Sequence, residues 1–421
     1  MITRPARALA ALLAASTLAT AGCSYIFSEK RTSYQYEPAY GVASAQFRRS
    51  LEALGSSMVG SNAAALCENG DGCFASLLQA IAAARKSVNL ENYIFGHDGT
   101  AMLFAQALAE RARAGIEVRV LVDSFGSSLG PLQDLMTAAG VKVFEYKPLR
   151  VYSIFRVGNR THRRILTVDG TTGFTGGIGL DDRWKGDARN PKEWRDTMVR
   201  VAGPVVAQLQ RIFLEDWMHT TGEVLHGDSQ FPGIPPAGTR LAQAVASSRT
   251  DQSSRAKLQF YMAIQAARER IWIENAYFVP DRQIREGLVH AAARGVDVKV
   301  IVPGKHIDVP YVQGASRFHY GELLDGGVQI FEFQPTMMHN KVMVVDSIWT
   351  SIGSINFVNR SMSKNAEVSV IVYDQDFAAE VESMVQRDLA RCEVLSKLAW
   401  KKRGLLPRIG EVFFWLFSDN Y

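Results

Sequence analysis

Apolar residues fall into two rhythms along this chain. Val118 to Val122 and Val298 to Val302 are short runs rich in β-branched residues, and they read as buried strands. Val88 to Leu90 and Ile271 to Ile273 begin others. Between such runs the spacing lengthens. Ile284, Leu288 and Ala292 recur every four residues, which places them on one face of a helix. Asp281 is placed to cap that helix and Gly295 to end it. Strand, helix, strand is the grammar of a sheet covered by helices, so the expected class is α/β.

The pattern occurs twice, in the same order. Ala84 to Phe95 matches Ala267 to Phe278, and Arg113 to Val122 matches Ala293 to Val302. Gly140 to Pro148 matches Gly327 to Pro335. Three matches in register point to an internal repeat. A polar, Pro- and Gly-containing stretch, 226–240, divides the two copies. The expected organisation is a first repeat over 46–225 and a second over 241–395, two similar domains packed as a pseudo-two-fold dimer. Segment 396–421 follows as a basic, aromatic tail.

The repeat carries its most informative residues in two further segments. His162-Arg163-Arg164-Ile165-Leu166-Thr167-Val168-Asp169 and His339-Asn340-Lys341-Val342-Met343-Val344-Val345-Asp346 both read histidine, any residue, a cation, four residues, aspartate. On a strand, residues two apart share a face. His162 and Arg164 therefore share one, as do His339 and Lys341. Packed about a two-fold axis, two imidazoles and two cations make a site for a phosphodiester. The cations would bind non-bridging oxygens and stabilise charge in the transition state. They also favour neutral histidine, as a nucleophile must be. One histidine can then attack phosphorus while the other protonates the leaving oxygen. Asp169 and Asp346 complete the motifs; at the strand ends, a structural role suits them better. Nothing in the sequence has metal-ligand spacing, so no metal or other cofactor is expected.

These paired motifs resemble those of the phospholipase D superfamily, over roughly Ser76 to Asp374. Within it, Glu91-Asn92-Tyr93-Ile94-Phe95, Gly176 to Asp182 and Trp194-Arg195-Asp196-Thr197 resemble bacterial cardiolipin synthases. The resemblance implies two α-β-α sandwich domains with the active site at their interface. It also implies a metal-free mechanism through a phosphohistidine, with His162 as nucleophile and His339 as acid. Asp196 and Glu367 follow their motif histidines by 34 and 28 residues and would orient the imidazoles. Ser354 and Asn356 would contact phosphate. Two positions depart from the pattern: Arg164 stands where the family has lysine, and Gly179 where it has asparagine.

Composition changes the picture only slightly. The formal charge of +5 falls to about +3 if Arg4 and Arg7 leave with a leader. That is too weak to argue for nucleic acid, whereas an anionic membrane surface suits it. Arg4 and Arg7, the apolar run Ala8 to Ala19 and then Thr20-Ala21-Gly22-Cys23 resemble a bacterial lipoprotein signal. The expectation is a signal peptide over 1–22, lipidation of Cys23, a linker over 23–45 and a body in the periplasm or otherwise outside the cytoplasm, held to the cell envelope. Ordinary secretion and an uncleaved anchor are the alternatives. In such a compartment Cys67 and Cys73, flanking a turn-like Glu-Asn-Gly-Asp-Gly, are expected either to form a local disulfide or to stay as two free thiols. Lys397, Lys401, Lys402, Arg403 and Arg408 beside Val412 to Phe417 suit an anionic bilayer interface, or a helix packed on the body.

The expected substrate is thus a phospholipid. The expected activity is transfer of a phosphatidyl group to an alcohol, with phosphatidylglycerol as acceptor giving cardiolipin. Hydrolysis by water, a nuclease, and an inactive lipid-binding lipoprotein are the competing readings.

Overall fold

A computed structural model describes residues 34–54, 57–148, 160–247 and 255–416. Cys23 and the leader before it lie outside these residues. The first copy of the repeat supplies seven strands: β1 (Val59–Glu68), β2 (Ser87–Asn92), β3 (Glu117–Asp123), β4 (Lys142–Tyr146), β5 (Ile165–Val168), β6 (Thr172–Gly176) and β7 (Thr197–Ala202). The second supplies β8 (Arg240–Ser247), β9 (Arg270–Asn275), β10 (Asp297–Pro303), β11 (Gln329–Phe333), β12 (Lys341–Val345), β13 (Trp349–Gly353) and β14 (Glu367–Tyr373). A short β15 (Cys392–Val394) adds at the far edge.

Within each copy the strand order is the same. It runs β4-β3-β2-β5-β6-β7-β1 in the first and β11-β10-β9-β12-β13-β14-β8 in the second. The inner edges meet where β1 pairs antiparallel with β8, so one 15-stranded sheet runs through the molecule. β13 and β14 also lie against β6 and β7, so the sheet turns back on itself near this junction. The parallel pairs are β2·β3, β3·β4, β9·β10 and β10·β11. Parallel neighbours need a crossover, and helices Gly99–Arg113, Pro131–Ala138, Arg282–Ala293 and Pro310–Asp325 provide them. The helix read from Ile284 and Leu288 buries both; Asp281 caps it by accepting from the Ile284 N–H, and Gly295 follows at φ 90°.

The two copies share apolar packing as well as a sheet. Phe213 and Trp217, on helix Val205–Thr221, are fully buried in the same cluster as Trp272, Phe377 and Val381. The 226–240 segment also packs down on the first copy. Ser229 O accepts from Ser87 Oγ at 2.6 Å, and Gln230 Oε1 accepts from Asn89 Nδ2 at 2.9 Å.

The structure answers two smaller expectations. The turn-like residues after Glu68 open a helix, Asn69–Ala82, because Asn69 takes φ 53° and Gly70 lets the Trp184 carbonyl approach. A Cβ on Gly70 would stand 1.9 Å from that oxygen. Cys67 and Cys73 are adjacent free thiols, both buried, and no disulfide joins them.

Candidate active site

Each motif histidine sits just ahead of a strand, not on it: β5 starts at Ile165 and β12 at Lys341. This corrects the expectation of a shared strand face for histidine and cation. What holds the histidines is a pair of short bridges between the copies. The His162 N–H donates to Ala366 O at 2.8 Å, and Ala366 N–H returns to Arg160 O at 3.0 Å. The mirror arrangement has His339 N–H on Arg195 O at 2.7 Å and Arg195 N–H on Met337 O at 2.9 Å. The chain before one motif is thus laid beside the chain that enters β14 or β7 in the other copy.

These bridges cross the carboxylates over. Glu367, at the start of β14, sits 2.9 Å from His162 Nδ1. Asp196, just before β7, sits 2.6 Å from His339 Nδ1. Each copy therefore orients the histidine of the other. A carboxylate can only accept, so Nδ1 carries the ring proton and Nε2 presents its lone pair. Burial pushes the Asp196 carboxyl up, but His339, Lys341 and the Trp184 N–H outweigh it and hold it below its ordinary value. Glu367 is lowered against burial in the same way by His162 and by Ser354 and Ser361.

Both imidazoles are kept neutral. Burial, then the Arg164 charge, lowers His162 to about 4 against the pull of Glu367. Burial, then Lys341, lowers His339 to about 3 against the pull of Asp196. Arg164 also depresses His339 and Lys341 also depresses His162, so each cation acts on both rings. Among the described residues, buried Arg164 has one bond, Nη1 to His162 O at 2.8 Å, while its Nε and Nη2 have no partner there. A buried guanidinium with free donors is costly unless an anion completes it. Lys341 Nζ donates to His339 O and lies 3.0 Å from His339 Nε2. Burial lowers Lys341 to about 7, with Asp196 opposing and Arg164 assisting.

The motif aspartates stand elsewhere. Asp169 accepts from the N–H groups of Arg85, Lys86 and Ser87 at 2.7–3.1 Å. Asp346 does the same for Arg268, Glu269 and Arg270 at 2.8–3.0 Å. Both take positive φ, 54° and 48°, in the tight turns of β5–β6 and β12–β13. They tie those turns to the entry of β2 and β9 through backbone N–H groups, and no bond joins either to an imidazole among the described residues.

Ser354 and Asn356, expected to contact phosphate, are both buried. Ser354 Oγ donates to Glu367 Oε2 at 2.6 Å, so it braces the carboxylate. Asn356 is buried, and its Oδ1 has no partner among the described residues. Its counterpart Gly179 makes room for an indole: a Cβ there would meet the Trp184 ring at 2.8 Å. The same tryptophan donates Nε1–H to Asp196 Oδ2 at 2.8 Å and lies edge-on to His339 at 5.4 Å. Trp184 thus does for Asp196 what Ser354 does for Glu367. A seryl side chain would not fit at Gly177, where a Cβ would stand 2.2 Å from Asp196 Oδ1.

Tyr93 packs on His162 at 4.8 Å, and Trp194 and Tyr277 on His339 at 5.3 and 6.2 Å. Behind the histidines, Glu91 accepts from Thr161 Oγ1 and Glu274 from Asn340 Nδ2, both at 2.5 Å. Burial first, then Asp216 or Asp388, raises these two carboxyls well above their ordinary range. Arg163, read only as an unspecified motif residue, is fully buried and pairs with Asp216 at 3.0 Å. Arg195 pairs with Asp388 at 2.7 Å.

The family model described as "Cardiolipin synthase, PLD-like domain" matches residues 77–217 and 261–389, more than half of the chain and one segment in each copy. The chain belongs to this family, and so to the phospholipase D superfamily. It is an enzyme of that superfamily. It is 35% identical over 358 residues to a probable cardiolipin synthase, YwiE, of Bacillus subtilis, covering 83% of this chain and 71% of that one. It is also 35% identical over 352 residues to cardiolipin synthase A of Pseudomonas fluorescens, covering 83% and 73%. A crystal structure of a phosphatidylserine synthase from Haemophilus influenzae shares the fold, with TM-score 0.68 over 88% of this chain and 97% of that one at 13% identity.

Proposed function

We propose that this phospholipase D enzyme is a phosphatidyltransferase of cardiolipin synthase type, working through a phosphohistidine. The observation that carries the reading is the crossed pairing: two neutral imidazoles, each aligned by the other copy's carboxylate, beside a buried guanidinium with two donor nitrogens unpaired among the described residues. A phosphodiester fits that arrangement. Arg164 and Lys341 would hold the non-bridging oxygens, where charge grows in the transition state. His162 Nε2 would attack phosphorus and form a P–N bond while the bond from phosphorus to the leaving oxygen breaks. That oxygen takes a proton from His339 Nε2, which first receives it from the Lys341 ammonium 3.0 Å away, leaving Lys341 neutral until the second step returns the proton through His339. In the second step the acceptor hydroxyl gives its proton back to His339 and attacks the same phosphorus. The P–N bond breaks and His162 is restored.

The relatives' names support a phospholipid donor and, with phosphatidylglycerol as acceptor, cardiolipin as product. No helix among the described residues is long and apolar enough to cross a membrane. We propose attachment to the bacterial cell envelope through a lipidated Cys23, with the body in the periplasm.

The test is an assay on phosphatidylglycerol labelled in its terminal glycerol. Transfer predicts labelled free glycerol together with labelled cardiolipin. Phosphatidic acid in place of cardiolipin would make the enzyme a hydrolase and overturn the proposal.

A further inference from the structure

The last helix, Leu405–Trp415, uses only one of its faces to pack. Phe414 lies on helix Pro310–Asp325 so closely that a Cβ on Gly314 would stand 2.4 Å from its ring. Trp415 stacks on Phe318 with centroids 4.5 Å apart. Glu411 is buried and takes the Arg403 guanidinium. These contacts fix the helix to the body.

The other face is apolar and open. Leu405, Leu406, Ile409, Val412 and Leu416 are 75%, 83%, 64%, 42% and 45% exposed. A patch of large aliphatic residues on one helix face marks an interaction surface. The segment's own charge is one-sided: over 397–416 there are five lysines and arginines against one glutamate, a net of +4 in a chain whose total is +5. Lys397, Lys401, Lys402 and Arg408 are exposed. A cavity of about 190 Å³ beside the helix is lined by Lys397, Lys401, Arg403 and Arg408 with Trp400 and one carboxylate, Asp325, which pairs with Lys397 and Lys401 at 3.0 and 2.9 Å. An apolar face with a cationic rim is complementary to an anionic phospholipid bilayer, whose acyl boundary takes the first and whose phosphates take the second.

The surface lies next to the active site. Phe414 packs against a small buried cluster of Val279, Val312, Ala315 and Val358, and Tyr277 packs against the same cluster. The Tyr277 ring also faces His339, and its hydroxyl donates to Asp308 at 2.8 Å. One layer of side chains therefore separates the open helix from the wall of the site.

We infer that the outer face of helix Leu405–Trp415 seats the enzyme on an anionic bilayer and brings the active site to its surface. This rests on the phospholipid substrate proposed above, and the following measurements separate the two. Amide hydrogen exchange of the full chain is followed with vesicles of phosphatidylcholine alone or mixed with phosphatidylglycerol. Exchange in 397–416 is expected to slow with the mixed vesicles only, and to recover at high salt. The double variant Leu406→Glu, Ile409→Glu is expected to lose this protection, with vesicle affinity down roughly tenfold or more. Its turnover of a short-chain lipid dispersed as monomers is expected to stay at the wild-type level. Unchanged exchange with mixed vesicles would overturn the inference. So would equal protection by neutral vesicles, or protection that needs only a higher protein concentration, which would mean a second copy. Absence of turnover of the monomeric lipid by wild type and variant alike, with vesicle protection intact, would instead refute the substrate.

Discussion

Lysine and arginine divide the work at this site because they respond differently to burial. Arg164 is also lowered by burial, but a guanidinium starts so high that it stays charged. Lys341 starts lower and is brought to about 7. It is therefore cationic below that pH and neutral above it, and the transition-state role proposed for it should fade as pH rises. His162, lowered to about 4, stays neutral across the same range, as the proposed nucleophile must be. The expected profile of kcat/KM thus holds a basic limb near pH 7 that belongs to Lys341. Bound phosphodiester is an anion and favours the charged lysine, so the limb should lie higher in kcat. Lys341→Arg should remove the limb, whereas Arg164→Lys should leave it in place; a limb that survives Lys341→Arg belongs to another group. His162, Arg164, His339 and Lys341 are legible because the repeat displays them twice in register, and the structure brings all four together. The crossing of Asp196 and Glu367 is not legible, since each lies near its own motif in sequence and meets the other's histidine only through the fold. Trp184 is hidden for a related reason. It lies in the stretch that makes the first interval six residues longer than the second, so no repeat mate points to it.

At the level of strands and turns, the motif aspartates show how a pattern can be conspicuous and still not be chemical. Asp169 follows a buried strand, occupies a left-handed turn position and gathers three backbone N–H groups from the entry of β2. Asparagine and aspartate tolerate that backbone better than other side chains. Asp169→Ala removes the acceptor and leaves those N–H groups to water. A loss of about 1–3 kcal/mol of stability is expected, seen as a drop of several degrees in Tm with kcat unchanged. The reverse result, a collapse of kcat at unaltered Tm, would place Asp169 in the chemistry. The strands and the crossover helices themselves follow the apolar rhythms, as Val118–Val122 in β3 and Val298–Val302 in β10 show. The start of helix Asn69–Ala82 does not, because it depends on a carbonyl of Trp184 arriving from far along the chain.

For the molecule as a whole, the repeat announces two α/β copies, and the class and the likeness to a two-domain phospholipase D fold agree with it. Their fusion into one sheet through β1 and β8 has no signal in periodicity, because edge pairing depends on backbone and not on side-chain pattern. The consequence of the fusion is chemical: neither copy contains a complete dyad, since each histidine leans on a carboxylate from the other. Loss of either histidine should then suppress turnover of an ordinary lipid, but for different reasons. A lipid with a low-pKa leaving group needs no proton to depart, so it separates the roles. Acid quench of His162→Ala and His339→Ala on such a substrate, followed by peptide mass spectrometry, locates the covalent phosphoryl group. His339→Ala should carry it on His162, and His162→Ala should carry none. A phosphoryl group on His339, or undiminished turnover of ordinary lipid in both single variants, would contradict the account.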